Sequence, residues 1–338
     1  MNTTYRAMQV TMPGRLELVE RPIAEPGPGQ VSIRVEACGI CGADAGDIER
    51  ANPALQPPRV PGHEVVGRIA AIGSGTPAMW KLGQRVGVGR LGGHCNECEQ
   101  CRRGRFHLCV HQPVVGSTQD GGYAEMMIAR ATGLVSIPDE LGSETAAPLL
   151  CAGLATFNAL RKSGAQAGDL VAIQGIGGLG HLAVQYARRM GFRVVAVGRG
   201  ADIADDVRAL GAHVYVDALV DDPVARLQKL GGAQVVLATI MDSAAVSALA
   251  PALAPQGRLV VVGVGREPIA IAPRALVGGE RIVQGTINGS PFESERTLDF
   301  SVLADVRPMI ETMPLARAEE AWRRAMSGQV RFRMVLTM

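Results

Sequence analysis

From Gly168 onward the chain alternates between short apolar runs and amphipathic stretches. The runs lie at 170–173, 194–197, 214–216, 235–238, 259–262 and 282–283, recurring every 20 to 25 residues. Between the first two, Leu182, Tyr186 and Met190 repeat at helical spacing, and Gly191 marks the stop. Six apolar strands alternating with helices predict an α/β unit built on a six-stranded, doubly wound parallel sheet. Strands covered by helices on both faces have no polar side, which explains why the runs are apolar throughout. Before about residue 150 the pattern differs. Short strands at 7–12, 30–37, 64–72 and 85–88 are interrupted by Gly and Pro, so this part reads as an irregular, β-rich domain. Beyond Ile287 come a helix, a loop and a final strand at 331–337 that is expected to return to the first domain. The predicted organisation is therefore 1–150, 151–287 and 288–338.

Composition narrows the picture. With 338 residues, 47% hydrophobic and 20% charged, the chain has material for two cores and is not of the disordered class. Its 34 basic and 32 acidic residues are spread evenly, which leaves no footprint for nucleic acid. The densest basic run, Arg102-Arg103-Gly104-Arg105, can either offset a cluster of thiolates or be solvated surface. The N-terminus lacks an apolar export segment. The most apolar stretch, 170–187, is broken by glycines, Gln174, His181 and Gln185, so no membrane span is expected. A reduced, cytoplasmic protein follows.

Two motifs carry chemistry on spacing alone. Cys95-x2-Cys98-x2-Cys101-x7-Cys109 packs four thiols into fifteen residues, enough to wrap one tetrahedral Zn2+ in a structural lobe at about 90–112. Disulfides would suit a small secreted domain rather than this chain. The second motif follows the strand at 170–174: Gly175-Ile-Gly177-Gly178-Leu179-Gly180, leading into a helix from His181. In the strand-turn-helix context of a Rossmann unit, such glycines give the tight turn, let the backbone approach a pyrophosphate, and allow close helix–strand packing. Amides at the helix start then bind the phosphates. A nicotinamide dinucleotide is the expected cofactor. At the end of the second strand an NAD enzyme places Asp or Glu on the ribose hydroxyls. Here stand Gly198 and Arg199, which favours NADP(H) over NAD(H), with the guanidinium on the 2′-phosphate. Asp202 could serve the ribose instead, but reads rather as the cap of a helix at 203–210.

Three further segments are dispersed: Cys38-Gly-Ile-Cys41-Gly-Ala43-Asp44, Pro61-Gly62-His63-Glu64 and Pro148-Leu-Leu-Cys151. Spacing does not join them. Together with the four-cysteine lobe, Gly121-Gly122-Tyr123-Ala124-Glu125 and the glycine turn, they make the chain resemble, end to end, the zinc-dependent medium-chain alcohol dehydrogenases, particularly the cinnamyl-alcohol-dehydrogenase-like branch. The resemblance implies a GroES-like catalytic domain beside the Rossmann domain and two Zn2+ per chain. It implies that Cys41, His63 and Cys151 hold the catalytic zinc with an open fourth position, and that Glu64 lies close to the metal. Asp44 then accepts from the His63 imidazole and sets its tautomer. Leu91, Val264 and Ile287 are expected to line an apolar substrate wall. Val262 and Val264 fall among the cofactor contacts, and Arg333 is expected at a cofactor phosphate. A homodimer or homotetramer is also implied. Cys38 is assigned no metal role, His94, His107 and His111 are read as surface residues, and His213 shows no partner.

One departure stands out. Ala43 occupies the place where the family carries a Ser or Thr that passes the alcohol proton outward. Glu49, eight residues after Cys41, is the candidate to assist. The expected activity is reversible hydride transfer between nicotinamide C4 and a small alcohol, aldehyde or ketone, with zinc as Lewis acid. Ala43 motivates one alternative, reduction of an iminium or conjugated C=C bond. A catalytically silent cofactor-binding protein is a remote third reading.

Overall fold

The computed structural model describes residues 3–49 and 58–338. They form two compact units, one of Met1–Leu154 with Asn288–Met338, the other of Ala155–Ile287.

The first unit is built on a seven-stranded sheet. Its path runs Ile310–Pro314, Arg333–Thr337, Gln30–Ile40, Glu64–Ile72, Arg85–Val88 and Leu134–Ser136, with Met126–Arg130 added alongside Gln30–Ile40. A separate hairpin pairs Thr4–Met12 with Arg15–Pro22. The long strand Gln30–Ile40 organises the unit. It pairs antiparallel with Glu64–Ile72 from Val31↔Ile72 to Gly39↔Glu64, and with the last strand from Ala37↔Thr337 to Ile40↔Met334. Those two registers bring Cys41, His63–Glu64 and Arg333 to the same sheet end, although Arg333 lies 269 positions beyond Glu64. The close approach has a steric requirement: a Cβ at Gly39 would overlap Glu64 Oε2. Beneath the sheet Val31, Ile33, Val65, Ile69, Val86 and Leu336 bury their side chains in one cluster with Tyr123 and Trp322. At roughly 1.5–3 kcal/mol for each fully buried aliphatic or aromatic side chain, such a cluster is the main favourable term holding the registers.

The second unit is the doubly wound sheet. Its six strands are all parallel, in the order Val214–Asp217, Arg193–Gly198, Leu170–Gln174, Ala233–Ala238, Leu253–Val261, Ile282–Gly285. The strand order reverses between Leu170–Gln174 and Ala233–Ala238, the switch point at which such sheets bind ligands. Each predicted run lies inside a strand except for Val262, which falls one residue beyond Leu253–Val261.

Three local expectations are corrected. Asp202 lies within a 3-10 turn, Ala201–Ile203, and the helix Ala204–Ala209 has no side-chain cap. The segment after Ile287 holds two helices, Pro291–Leu303 and Ala318–Met326, and an extra strand, Ile310–Pro314. That strand contains a proline and owes its extension to parallel pairing with Arg333–Thr337, a partner that local pattern does not reveal. Among the described residues no helix is long and apolar enough to cross a membrane.

Candidate active site

Four donor atoms from three distant segments converge in the first unit. Those of Cys41, His63, Glu64 and Cys151 all lie within 4.8 Å of one another, and all four residues are buried. Each is placed by a different device. Cys41 follows the end of Gln30–Ile40, and His63 immediately precedes Glu64–Ile72. Cys151 sits in a π-helical turn, Leu149–Gly153, which follows the helix Ser143–Pro148. Pro148 has no N–H to donate, and a widened turn at that point re-aims the next residues.

The Cys41 and Cys151 sulfurs are 3.9 Å apart. Two thiolates at Zn–S bonds of about 2.3 Å around a tetrahedral ion would stand roughly 3.8 Å from each other. His63 Nδ1 lies 2.7 Å from Asp44 Oδ1, while Nε2 is buried and forms no hydrogen bond. A buried ring nitrogen left unpaired among thiols is the arrangement a cation would satisfy. Asp44 is itself held: its Oδ2 accepts from the Cys41 amide and from the Tyr123 hydroxyl, each at 2.9 Å. The donor set therefore fits zinc.

From the protein groups alone, the bond between the two thiols pulls Cys41 well below the usual thiol range, against burial and with help from His63. The same bond, with burial, pushes Cys151 well above it. Burial acts to lower His63, yet the charge and hydrogen bond of Asp44 outweigh it and raise the imidazole to about 10. An arriving metal ion would displace that proton. Burial raises the Glu64 carboxyl to about 7, even against the neighbouring Arg333.

Arg333, expected at a cofactor phosphate, is only 4% exposed in the first unit, and its Nη2 lies 2.5 Å from both Glu64 oxygens. The final strand delivers it beneath the cluster, where it balances Glu64. Glu49 ends the helix Asp44–Glu49 with its side chain exposed, and Ala43 is exposed as well. Leu91 is half-buried and bridges to Val114. Cys38 is fully buried and unpaired in any disulfide.

Arg90 and Asn288 also approach the cluster, without any signal in the sequence. Arg90 Nη1 is 2.7 Å from Asp47 and 3.3 Å from His63 Nδ1, and Asn288 Nδ2 is 3.7 Å from the Cys151 sulfur. Tyr123, by contrast, lies in the Gly121–Glu125 motif, but its bond to Asp44 spans 79 positions and has no local signal.

The second cluster is local. Cys95, Cys98, Cys101 and Cys109 place their sulfurs within 4.8 Å of one another. Cys98 and Cys101 are 3.5 Å apart, Cys95 and Cys109 3.6 Å. Backbone amides of Glu97 and Cys98 point at the Cys95 sulfur, and those of Cys95 and His111 at the Cys109 sulfur, each at 3.4 Å. Asn96, at φ +66°, supplies the left-handed residue of this loop. Four sulfurs ringed by N–H donors fit a thiolate-bound metal. The arginines at 102, 103 and 105 are exposed, and Arg103 pairs with Glu99, so they are solvated surface.

In the second unit the glycine turn has the required shape. At Gly175, φ +92°, a Cβ would overlap Ile240. At Gly180 it would overlap the Gly175 carbonyl, and at Gly177 it would meet open space. Gly178 and Leu179 are half-buried, and the helix Gly180–Arg189 follows. His181 is buried, with Nδ1 3.1 Å from the Gly177 carbonyl, and so braces the turn. His213, expected to be alone, bonds the Val194 amide and Arg188. Gly198 is buried and Arg199 exposed at the end of the second strand. Val262 is half-buried and donates its amide to the Ala238 carbonyl; Val264 and Ile287 are exposed.

Comparison with known proteins agrees with this geometry. Residues 27–139 match the alcohol dehydrogenase GroES-like domain family, and residues 178–303 the zinc-binding dehydrogenase family. The chain is 38% identical to alcohol dehydrogenase patD of Aspergillus clavatus, over 99% of this chain and 98% of that one. Among solved structures, a cinnamyl alcohol dehydrogenase of Sorghum bicolor superposes with a TM-score of 0.88 at 28% identity, covering 99% of this chain and 97% of its own. Acetophenone reductase of Geotrichum candidum, in complex with NAD, superposes at 0.89 with 26% identity, covering 100% and 98%. These likenesses do not favour the iminium or C=C reading. The chain thus belongs to the zinc-dependent medium-chain alcohol dehydrogenases, oxidoreductases that use zinc and a nicotinamide cofactor to interconvert alcohols and carbonyl compounds.

Proposed function

We propose that Cys41, His63 and Cys151 hold the catalytic zinc, with Glu64 as an internal carboxylate within reach, and that the four-cysteine lobe holds a second, structural zinc. The observation that carries this is the buried convergence of two thiols and one unpaired imidazole nitrogen from segments that spacing does not connect. When bound, the ion supplies Lewis-acid polarisation of the substrate oxygen.

The chain's own groups do the rest. Asp44, fixed by Tyr123 and the Cys41 amide, holds the tautomer that leaves Nε2 free to ligate. Arg333 balances Glu64, so the buried carboxylate does not stand uncompensated. Ala43 has no hydroxyl to carry a proton outward, and its exposure lets water take over that step. Glu49, also exposed, is placed to accept a proton from solvent rather than from the cluster.

Gly177, Gly178, Leu179 and Gly180 receive the dinucleotide phosphates. Gly198 and Arg199 favour NADP(H) over NAD(H), because an exposed guanidinium pairs with a 2′-phosphate and no carboxylate at 198 claims the ribose. Val264 and Ile287 offer exposed apolar side chains in the second unit and Leu91 a half-buried one in the first, which suits substrates of low polarity. The exposed edge strand Ile282–Gly285, with Ile282 and Val283 open to solvent, supports a homodimer or homotetramer. Seven free cysteines support a reduced, cytoplasmic location.

A panel of alcohols, aldehydes and ketones assayed with NADPH and NADH, together with metal analysis, tests the proposal. Two zincs per chain and carbonyl turnover with NADPH preferred are expected. A single zinc, or turnover of cyclic imines without carbonyls, would overturn it. Arg199→Ala is expected to weaken NADPH by about tenfold or more, the scale of a charge-assisted pair, and NADH little. Equal losses would remove the 2′-phosphate assignment.

A further inference from the structure

The edge strand beside Arg193–Gly198 holds a tyrosine that faces Gly198. Val214–Asp217 is the edge strand next to Arg193–Gly198, with Tyr215↔Ala196 and Asp217↔Gly198 in register. Side-chain alternation puts Tyr215 and Asp217 on the same face as Ala196 and Gly198. The Tyr215 hydroxyl donates to the Gly200 carbonyl at 2.7 Å. Asp217 Oδ1 accepts from the Gly200 amide at 2.9 Å and from the Leu219 amide at 3.0 Å. Both polar groups of Gly200, held at φ +89°, are therefore tied to the edge strand. The turn presenting Arg199 is fixed from that side.

Gly198 shows what the tyrosine costs. A Cβ built there would stand 2.7 Å from the Tyr215 hydroxyl oxygen, 2.8 Å from its Cε2 and 3.1 Å from Ile203 Cδ1. The Gly198 backbone is not in the left-handed region, so its dihedrals do not exclude a side chain. The obstacle is Tyr215. It cannot swing aside without losing its bond to Gly200. Burial, with Asp217 and Asp202 nearby, raises the phenol to about 12, so the hydroxyl keeps its proton and remains a donor.

We propose that Tyr215 is a cofactor-specificity residue. Its ring and hydroxyl fill the space an acidic side chain at 198 would need to grip a ribose diol, and thereby commit the turn to Arg199 and an adenosine 2′-phosphate. It acts by positioning the turn and by exclusion, not by touching the reacting atoms. The inference rests on the NADP(H) reading, and its test separates the two.

Binding of 2′,5′-ADP and of 5′-AMP to the full-length protein is measured by calorimetric titration, with thermal melts, for wild type, Gly198→Asp, Tyr215→Ala and the double variant. Gly198→Asp alone is expected to melt lower than wild type and to gain no affinity for 5′-AMP. Adding Tyr215→Ala is expected to restore part of the melting temperature and to raise 5′-AMP affinity about tenfold over Gly198→Asp, as a carboxylate hydrogen bond to the diol would. Should Gly198→Asp alone bind 5′-AMP as tightly as the double variant, Tyr215 is not the barrier. If Gly198→Asp does not fold, Gly198→Ala with and without Tyr215→Ala gives the same cycle in melting temperature. There, simple additivity overturns the proposal and relief of the Gly198→Ala defect supports it. The NADP(H) reading is judged separately, by the wild-type ratio of 2′,5′-ADP to 5′-AMP affinity and its loss in Arg199→Ala.

Discussion

The two cysteine clusters solve one chemical problem by opposite routes. In the lobe at 95–109, four sulfurs come from a single loop whose own amides point at them, and no distant strand is needed. In the other, Cys41, His63 and Cys151 come from two strand ends and a π-turn, and every ligand depends on a long-range register. A local site forms when its loop closes around the metal, so its binding energy acts on folding. A dispersed site is assembled by the fold, which can hold one position free for a reactant. The contrast is the one expected between a structural and a catalytic metal, as proposed for these two clusters.

Breaking the two sites in parallel should give the largest and most opposed effects. Cys151→Ser is expected to remove one zinc and lower turnover by at least about a thousandfold, since Lewis-acid catalysis supplies several kcal/mol, while the thermal midpoint moves little. Cys98→Ser is expected to remove the other zinc and lower the midpoint by several degrees, with residual activity in the fraction still folded. Metal analysis, melts and initial rates on both variants decide it. If Cys98→Ser costs only activity, or Cys151→Ser only stability, the assignment of roles is reversed.

A smaller effect concerns what the dispersed site needs beneath it. Arg333→Met leaves Glu64 buried without its counter-charge, a loss of roughly 3–5 kcal/mol. Adding Glu64→Gln should recover part of it, because the amide has no charge to compensate. Denaturant melts of the single and double variants measure this. A single variant as stable as wild type would show that Glu64 takes up a proton at no cost.

The mildest test reaches the imidazole through its partner. Asp44→Asn keeps the shape but weakens the acceptor at His63 Nδ1 and is expected to lower zinc affinity about 10–100-fold, read by chelator competition. The lobe zinc should be unaffected. Equal loss from both sites would mean that the substitution acts on the fold rather than on the ligand.

How far the sequence reached follows the same division. The lobe, the glycine turn and the six parallel strands were legible because each is encoded within a few residues: a thiol spacing, a turn between strand and helix, an apolar run covered on both faces. Cys41, His63 and Cys151 were joined only through the family resemblance, since nothing along a separation of 110 positions states that two sulfurs end 3.9 Å apart. The pairing of Arg333 with Glu64 was hidden for a related reason. Its neighbourhood is fixed by the antiparallel register of the last strand against Gln30–Ile40, and a register is a property of two strands at once. The same holds for Arg90 beside His63, for the strand Ile310–Pro314, and for the tyrosine that fills the space above Gly198.

The sequence by itself determined the fold class, the four-cysteine lobe and the glycine turn, because short-range periodicity and spacing are enough to specify them. Tertiary structure alone decided which buried charges face each other around Cys41, His63 and Cys151 and which side chain closes off position 198. Those outcomes depend on pairing and packing between segments far apart in the chain, and local pattern carries no record of such contacts.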